Sequence, residues 1–239
     1  MRSGTNAQQN PNNPYDRIGQ MHNYLLNAFF TEETKAAVVG RWTQQTLNDY
    51  MCKKFPELDC KFINQVMNDK LMSAVKGKTL MESETILLGL GLVHPRHGYY
   101  IQQINDLIEN HFGEDYSVCY RAFLLLEDQI IIDPDLSPSE IINLLCSSSI
   151  GRYSVKFWQD VTGGIVRYPS IGSDITNFPT SGGSNVGKDD VKGAVTGVVA
   201  GAAGGGGAGS LPAAVAGGLV GGAAASVVSA VSSIWHWLF

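Results

Sequence analysis

Residues 193–239 contain no Asp, Glu, Lys or Arg, so the formal charge of -5 belongs entirely to the chain before them. That split excludes a uniformly solvated protein: a charged, water-facing part comes first and an uncharged tail follows. Lys and Arg form no run, and 17 of them stand against 22 Asp and Glu. The mild acidic excess argues against a nucleic-acid surface. The N-terminus has no apolar stretch behind basic residues, so no secretory signal peptide is visible. No sustained apolar/polar alternation marks a strand. The four cysteines, Cys52, Cys60, Cys119 and Cys146, make no CxxC. In a chain long enough to bury a core they read as dispersed buried thiols, neither bridges nor metal ligands. Ser147, Ser148 and Ser149 lack the Gly-x-Ser-x-Gly setting of a nucleophile elbow. Gly204 to Gly209 lack the following Lys-Ser/Thr of a phosphate loop.

What the tail does have is small residues at a fixed spacing. Half of residues 193–239 are Gly or Ala, and glycine recurs at Gly193, Gly197, Gly201, Gly205 and Gly209. On a helix an i, i+4 series stays near one face and leaves a groove that a second helix can approach closely. After Pro212 a second series follows through Ala214, Gly218, Gly222, Ser226 and Ala230. Ser210 and Pro212 suit the start of that second helix. The pattern predicts a helical hairpin with glycine-zipper faces over 188–239. It ends in Trp235, His236, Trp237, Leu238 and Phe239, and Trp235, Trp237 and Phe239 suit a membrane interface. Gly and Ala give little insertion energy, so insertion is expected to be conditional on association or on contact with a bilayer.

Before the tail the periodicity is helical throughout. Residues 1–13 are polar and predict a disordered lead. Residues 14–162 predict a helical domain. Ile18, Met21, Leu25, Leu26 and Phe29 mark the first helix, and Thr31 reads as the cap of a second. Pro56, Asp59 and Gly77 bound a third. Residues 80–93 fit either a short helix or a buried run, which periodicity does not separate. His94 to Gly98 reads as a loop, 99–111 and 116–131 as helices. Ser137 as cap, Pro138 at the first helical position and Glu140 two further on form a capping box, opening a helix to about Val161. Residues 163–187 are rich in Gly, Ser, Thr, Pro and Asn and read as a linker or ordered loop. The expected class is all-α: a helical bundle followed by the hairpin.

Candidate chemistry is sparse. Tyr15, Asp16, His22 and Asn23 make the best polar site, yet six residues separate Asp16 from His22, a poor match to one helical face. The plainer expectation is a cap plus a half-buried histidine bonded to another helix. His94 and His97 could offer two imidazoles to a metal, but no Cys or carboxylate pair stands at ligand spacing, so a surface loop is expected and no metal or other cofactor. Glu127 with Asp128, and Asp133 with Asp135, read as solvated surface charge. The three serines read as residues that permit close packing or bond back to the backbone.

Two stretches also carry a resemblance. Asn13-Pro-Tyr-Asp-Arg-Ile-Gly-Gln-Met-His-Asn23 is similar to an opening of the form Asn-x-Tyr-Asp-x-x-Gly-x-x-His-Asn. Leu136 to Glu140, followed by Ser149-Ile-Gly-Arg-Tyr-Ser-Val-Lys-Phe-Trp158, resembles a motif late in the same small, uncharacterised bacterial proteins, which often end in a Gly/Ala-rich helix. The resemblance covers both ends of the chain, is much looser over residues 31–130, and implies a fold with no assigned activity. The tail separately resembles glycine-zipper segments of pore-forming peptides, bacteriocins among them. These readings together predict a bacterial, non-enzymatic interaction protein whose hairpin self-associates in or on a lipid bilayer, as a homo-oligomer and with no nucleic-acid partner. A protein partner stays unidentified. Its expected place is membrane-associated, or outside the cell by a route other than the Sec signal, with the cytoplasm also open. The alternative is a soluble adaptor whose hairpin packs on the helical domain.

Overall fold

The computed structural model describes residues 9–32, 78–111 and 115–162, together with the single positions Asp49, Cys52, Lys53, Ala74, Lys188 and Lys192. Apart from those single positions, the predicted second and third helices, the linker, and the glycine-zipper hairpin with its aromatic end lie outside the described residues. Those described form five helices and no strand: α1 (Asp16–Glu32), α2 (Leu80–Gly89), α3 (Pro95–His111), α4 (Tyr116–Ile132) and α5 (Pro138–Thr162). The all-α class holds for this part of the chain.

α5 is the axis of the bundle. It packs against α1, α4 and α3, while α3 also packs against α2 and α4. From Asn143 to Val155 every residue of α5 is buried. A helix buried on all sides is ordinarily apolar all round. This one carries Asn143, Ser147, Ser148, Ser149, Arg152 and Ser154 through that stretch. Its apolar residues, with Leu144, Phe157 and Trp158 prominent, join Tyr100, Ile104, Phe123 and Ile130 from α3 and α4 in the main core.

The ends of the helices follow local chemistry. Ser137 and Glu140 close the predicted capping box: the Glu140 amide donates to Ser137 Oγ at 3.3 Å and the Ser137 amide to Glu140 Oε2 at 2.9 Å. Thr79 and Glu82 form a second box that opens α2, with the Glu82 amide 3.2 Å from Thr79 Oγ1 and the Thr79 amide 2.8 Å from Glu82 Oε2. At its other end Gly91 turns left-handed at φ 67°, and the Leu92 and Gly91 amides reach back to the Leu87 and Leu88 carbonyls. This paired closure, which favours glycine, resolves the 80–93 stretch into a capped helix over Leu80–Gly89 and the turn that follows it.

Three expectations change. α1 continues through Thr31 to Glu32, so Thr31 does not start a new helix. α3 begins at Pro95, because proline's missing N–H costs nothing in a first turn, so the expected loop at His94–Gly98 is mostly helix. Residues 9–13, expected as part of a free lead, are docked: Asn10 and Asn13 are buried, and Asn13 Nδ2 donates to the Leu145 carbonyl at 3.1 Å. Among the cysteines, Cys119 and Cys146 are buried thiols as expected. Burial pushes the Cys146 thiol up to about 12. Cys52 departs from the expectation by being disulfide-bonded, its partner lying outside the described residues.

Candidate functional site

α1 and α5 meet along a polar seam, and the residues that meet are those of the two resemblance stretches. Gly19 makes the close approach possible: a Cβ built there would lie 2.6 Å from the Ser149 carbonyl oxygen and 2.4 Å from the Tyr153 ring. Across that contact the Gly19 amide donates to Ser149 Oγ at 3.2 Å, and the Ser149 hydroxyl donates to the Asp16 carbonyl at 3.0 Å. The serines of α5 thus permit close packing, as expected. They bond across the bundle and along side chains, however, where bonding back to their own backbone had been the other expectation. Ser148 donates to Glu127 and Ser147 to Asn143 Oδ1.

Arg152 sits at the centre of the seam with no exposed surface. A buried guanidinium is tolerable only when paired and hydrogen-bonded. Here its Nη2 donates to Asp16 Oδ1 and its Nε to Glu127 Oε1 at 3.2 Å. Burial works to lower its pKa, but Glu127 and Asp16 outweigh that and hold it above the ordinary arginine value. The carboxylates are completed by other donors. Asp16 also accepts from the Asn10 amide, Gln20 and the Tyr153 hydroxyl. Glu127 also accepts from Ser148 and Asn10. Burial, with the bond to Asp16, pushes the Tyr153 hydroxyl up to about 12. Tyr120 and Tyr153 present their ring faces to the guanidinium, 5.8 and 4.9 Å from its carbon.

Farther along α1, His22 and Asn23 continue the seam. Asn23 Nδ2 donates to the Tyr153 carbonyl at 2.7 Å, and His22 Nδ1 lies 3.1 Å from Ser154 Oγ. His22 is fully buried, more than the half burial expected, and it does bond another helix. Desolvation pulls its pKa down to about 4, against a smaller upward pull from Asn23, so it is neutral at pH 7. Of the four predicted polar residues, Asp16, His22 and Asn23 therefore meet one helix. Tyr15 is half-buried and packs against the apolar core beside them. Asp16 is an anchor for Arg152 and Tyr153, which the expected capping role does not describe.

The predicted imidazole pair is divided. His94 is largely exposed and meets Glu140 Oε2 at 3.1 Å, while His97 is buried on α3 and meets Glu84 Oε1 of α2 at 2.9 Å. Burial would raise Glu140, but hydrogen bonds from Ser137 and His94 prevail and bring it to about 2. No group of three or more metal-ligating side chains occurs among the described residues. His97 Nε2, Glu84 Oε2 and the Tyr116 hydroxyl are buried without a hydrogen-bond partner.

Two carboxylates expected at the surface are inside. Glu127 is fully buried against Arg152, and Asp133 is buried where Tyr100 (2.7 Å) and Arg96 (2.7 Å) donate to it. Both sit where another helix supplies a cation, Arg152 for Glu127 and Arg96 for Asp133. Their neighbours Asp128 and Asp135 are exposed, as expected. The reading from sequence missed Arg152, Glu127 and Glu84 as buried polar residues. For Arg152 the available signal was a lone charge inside the otherwise uncharged run Ser147 to Tyr153.

Chemically the seam is a closed lock. Its carboxylate oxygens are occupied by donors from the protein itself, so it fixes the register of α1 on α5. Outside it, Lys188 and Lys192, the last two lysines of the chain, both bond Glu109 of α3; Lys188 Nζ lies 3.0 Å from its Oε2. The bonds from Lys192 and Lys188 hold the Glu109 carboxyl below its ordinary range. No helix among the described residues is long and apolar enough to cross a membrane. No protein-family model, no curated protein and no solved structure matches this chain.

Proposed function

We propose that this is a two-part interaction protein, in which the helical domain carries and moors an uncharged tail that self-associates at a membrane. The observation that carries the reading is the junction. All charge ends at Lys192, and Lys188 and Lys192 hold the root of the tail on Glu109 of α3. The seam through Arg152 supports a domain that stays folded as a unit while the tail changes partners. In this reading Gly193, Gly197, Gly201, Gly205 and Gly209 meet Gly218, Gly222 and Ser226 within or between chains. Trp235, Trp237 and Phe239 lie at headgroup level. The bacterial resemblance, an extracytoplasmic location and a bacteriocin-like mode of action belong to the same proposal.

The test is flotation of the full chain with liposomes, paired with release of an entrapped dye. The expected result is flotation with leakage, both lost when Gly201 and Gly218 are replaced by Leu. Flotation without leakage makes the tail an anchor. A full chain that neither floats nor associates overturns the reading. The second reading, a soluble adaptor with the hairpin packed on its own domain, draws on the same lysine contacts, since they hold the tail's root against α3. It predicts a monodisperse chain whose tail resists protease without lipid.

A further inference from the structure

α4 has two faces of opposite character. Cys119, Phe123, Leu126, Glu127 and Ile130 point into the bundle. On the other side Val118, Leu125 and Ile132 are 41%, 65% and 79% exposed. Seven residues separate each from the next, so the three lie on one stripe, drifting only slightly around the helix. Large apolar side chains in a row on a solvent face mark an association surface. Arg121 and Asp128 lie beside the stripe, both exposed. The Arg121 Nε donates only to the Ser117 carbonyl of its own helix, and Asp128 accepts from Asn12 at the surface.

This arrangement reads the same from either end. Reversed about Leu125, Val118 exchanges with Ile132 and Arg121 with the turn holding Asp128. Such a face is complementary to a copy of itself running antiparallel, in apolar contact and in charge, which is what a two-fold interface requires. We infer that α4 is a homodimer interface in which two copies of this chain pack antiparallel across a two-fold axis at Leu125. Leu125 meets Leu125, Val118 meets Ile132, and each Arg121 meets the other copy's Asp128. The inference stands on the helical domain and is independent of the proposal for the tail.

The test uses the full chain. Leu125→Cys, at the axis, should form an interchain disulfide under mild oxidation, whereas Asp106→Cys, exposed on α3, should not. Leu125→Asp should raise the dimer dissociation constant by at least about tenfold through like charges at the axis. Arg121→Asp should weaken the dimer, and the exchange Arg121→Asp with Asp128→Arg should restore it. Circular dichroism checks that each variant keeps its helices. The tail is intact in every variant, so association through the tail alone would cross-link both cysteine variants equally, and that result overturns the inference. A monomeric wild-type chain with no Leu125→Cys cross-link overturns it as well. If Leu125→Asp instead loses liposome flotation while Leu125→Cys stays uncross-linked, the face belongs to lipid and the inference falls.

Discussion

Gly19 and Ser149, 130 residues apart, are held together by a hydrogen bond from the Gly19 amide to the serine hydroxyl at 3.2 Å. The same hydroxyl donates to the Asp16 carbonyl one turn earlier on α1. No side chain fits between the two helices at this point. The contact therefore decides how deeply α1 sits on α5, and so whether Asp16 reaches Arg152.

Gly19→Ala tests that directly. Alanine favours a helix over glycine by up to about 1 kcal/mol, but its methyl would overlap the Ser149 backbone. Overpacking should prevail, with a net loss of about 1–3 kcal/mol in urea unfolding. Gly98→Ala is the contrast. Its nearest neighbours are the Glu84 and Leu88 side chains at 3.3 and 3.4 Å, a looser fit than at Gly19, so the loss should be smaller.

Arg152→Met removes the only cation bonded to Asp16 and Glu127 among the described residues, leaving two buried carboxylates. The expected loss is about 3–5 kcal/mol in urea unfolding. Adding Asp16→Asn and Glu127→Gln to that variant should recover part of it, because neutral amides are cheaper to bury than unpaired charges. A triple variant no more stable than Arg152→Met alone would speak against an electrostatic role for the seam.

His22 sets a pH dependence with a definite sign. Its ordinary value is 6.5, and burial holds it at about 4 in the fold, so the unfolded chain binds more protons between those limits. Stability should thus be fully present above pH 6.5 and decline as pH falls toward 4. The contribution lost between pH 7 and pH 5 is about 2 kcal/mol. Urea midpoints for the wild type and for His22→Asn check this, and the variant's should change less over the same interval.

Glu109→Gln should loosen the root of the tail, because two lysines lose their shared carboxylate. Trypsin should then cut after Lys188 and Lys192 faster than in the wild type, with the helical domain unaffected by circular dichroism. Equal rates would show that the tail is moored elsewhere.

Helical character, the capping box at Ser137 and Glu140, and the break in charge at Lys192 were all legible in the residues themselves. Each is local: the period of apolar residues, a hydroxyl three residues before a carboxylate, or a composition that changes along the chain. The two resemblance stretches could be picked out, and their meeting could not. Likewise Glu127 and Asp133 look like any acidic residue beside another, and His97 looks like half of a loop pair. Whether such a group lies in water or inside depends on what faces it. Arg152 comes from 25 residues beyond Glu127 and 136 beyond Asp16, and Glu84 reaches His97 from a different helix. A charge can be buried only where a distant partner repays its lost hydration. The sequence alone therefore determined the all-helical character of the described residues and where charge stops, and the tertiary structure decided which polar residues lock the helices together.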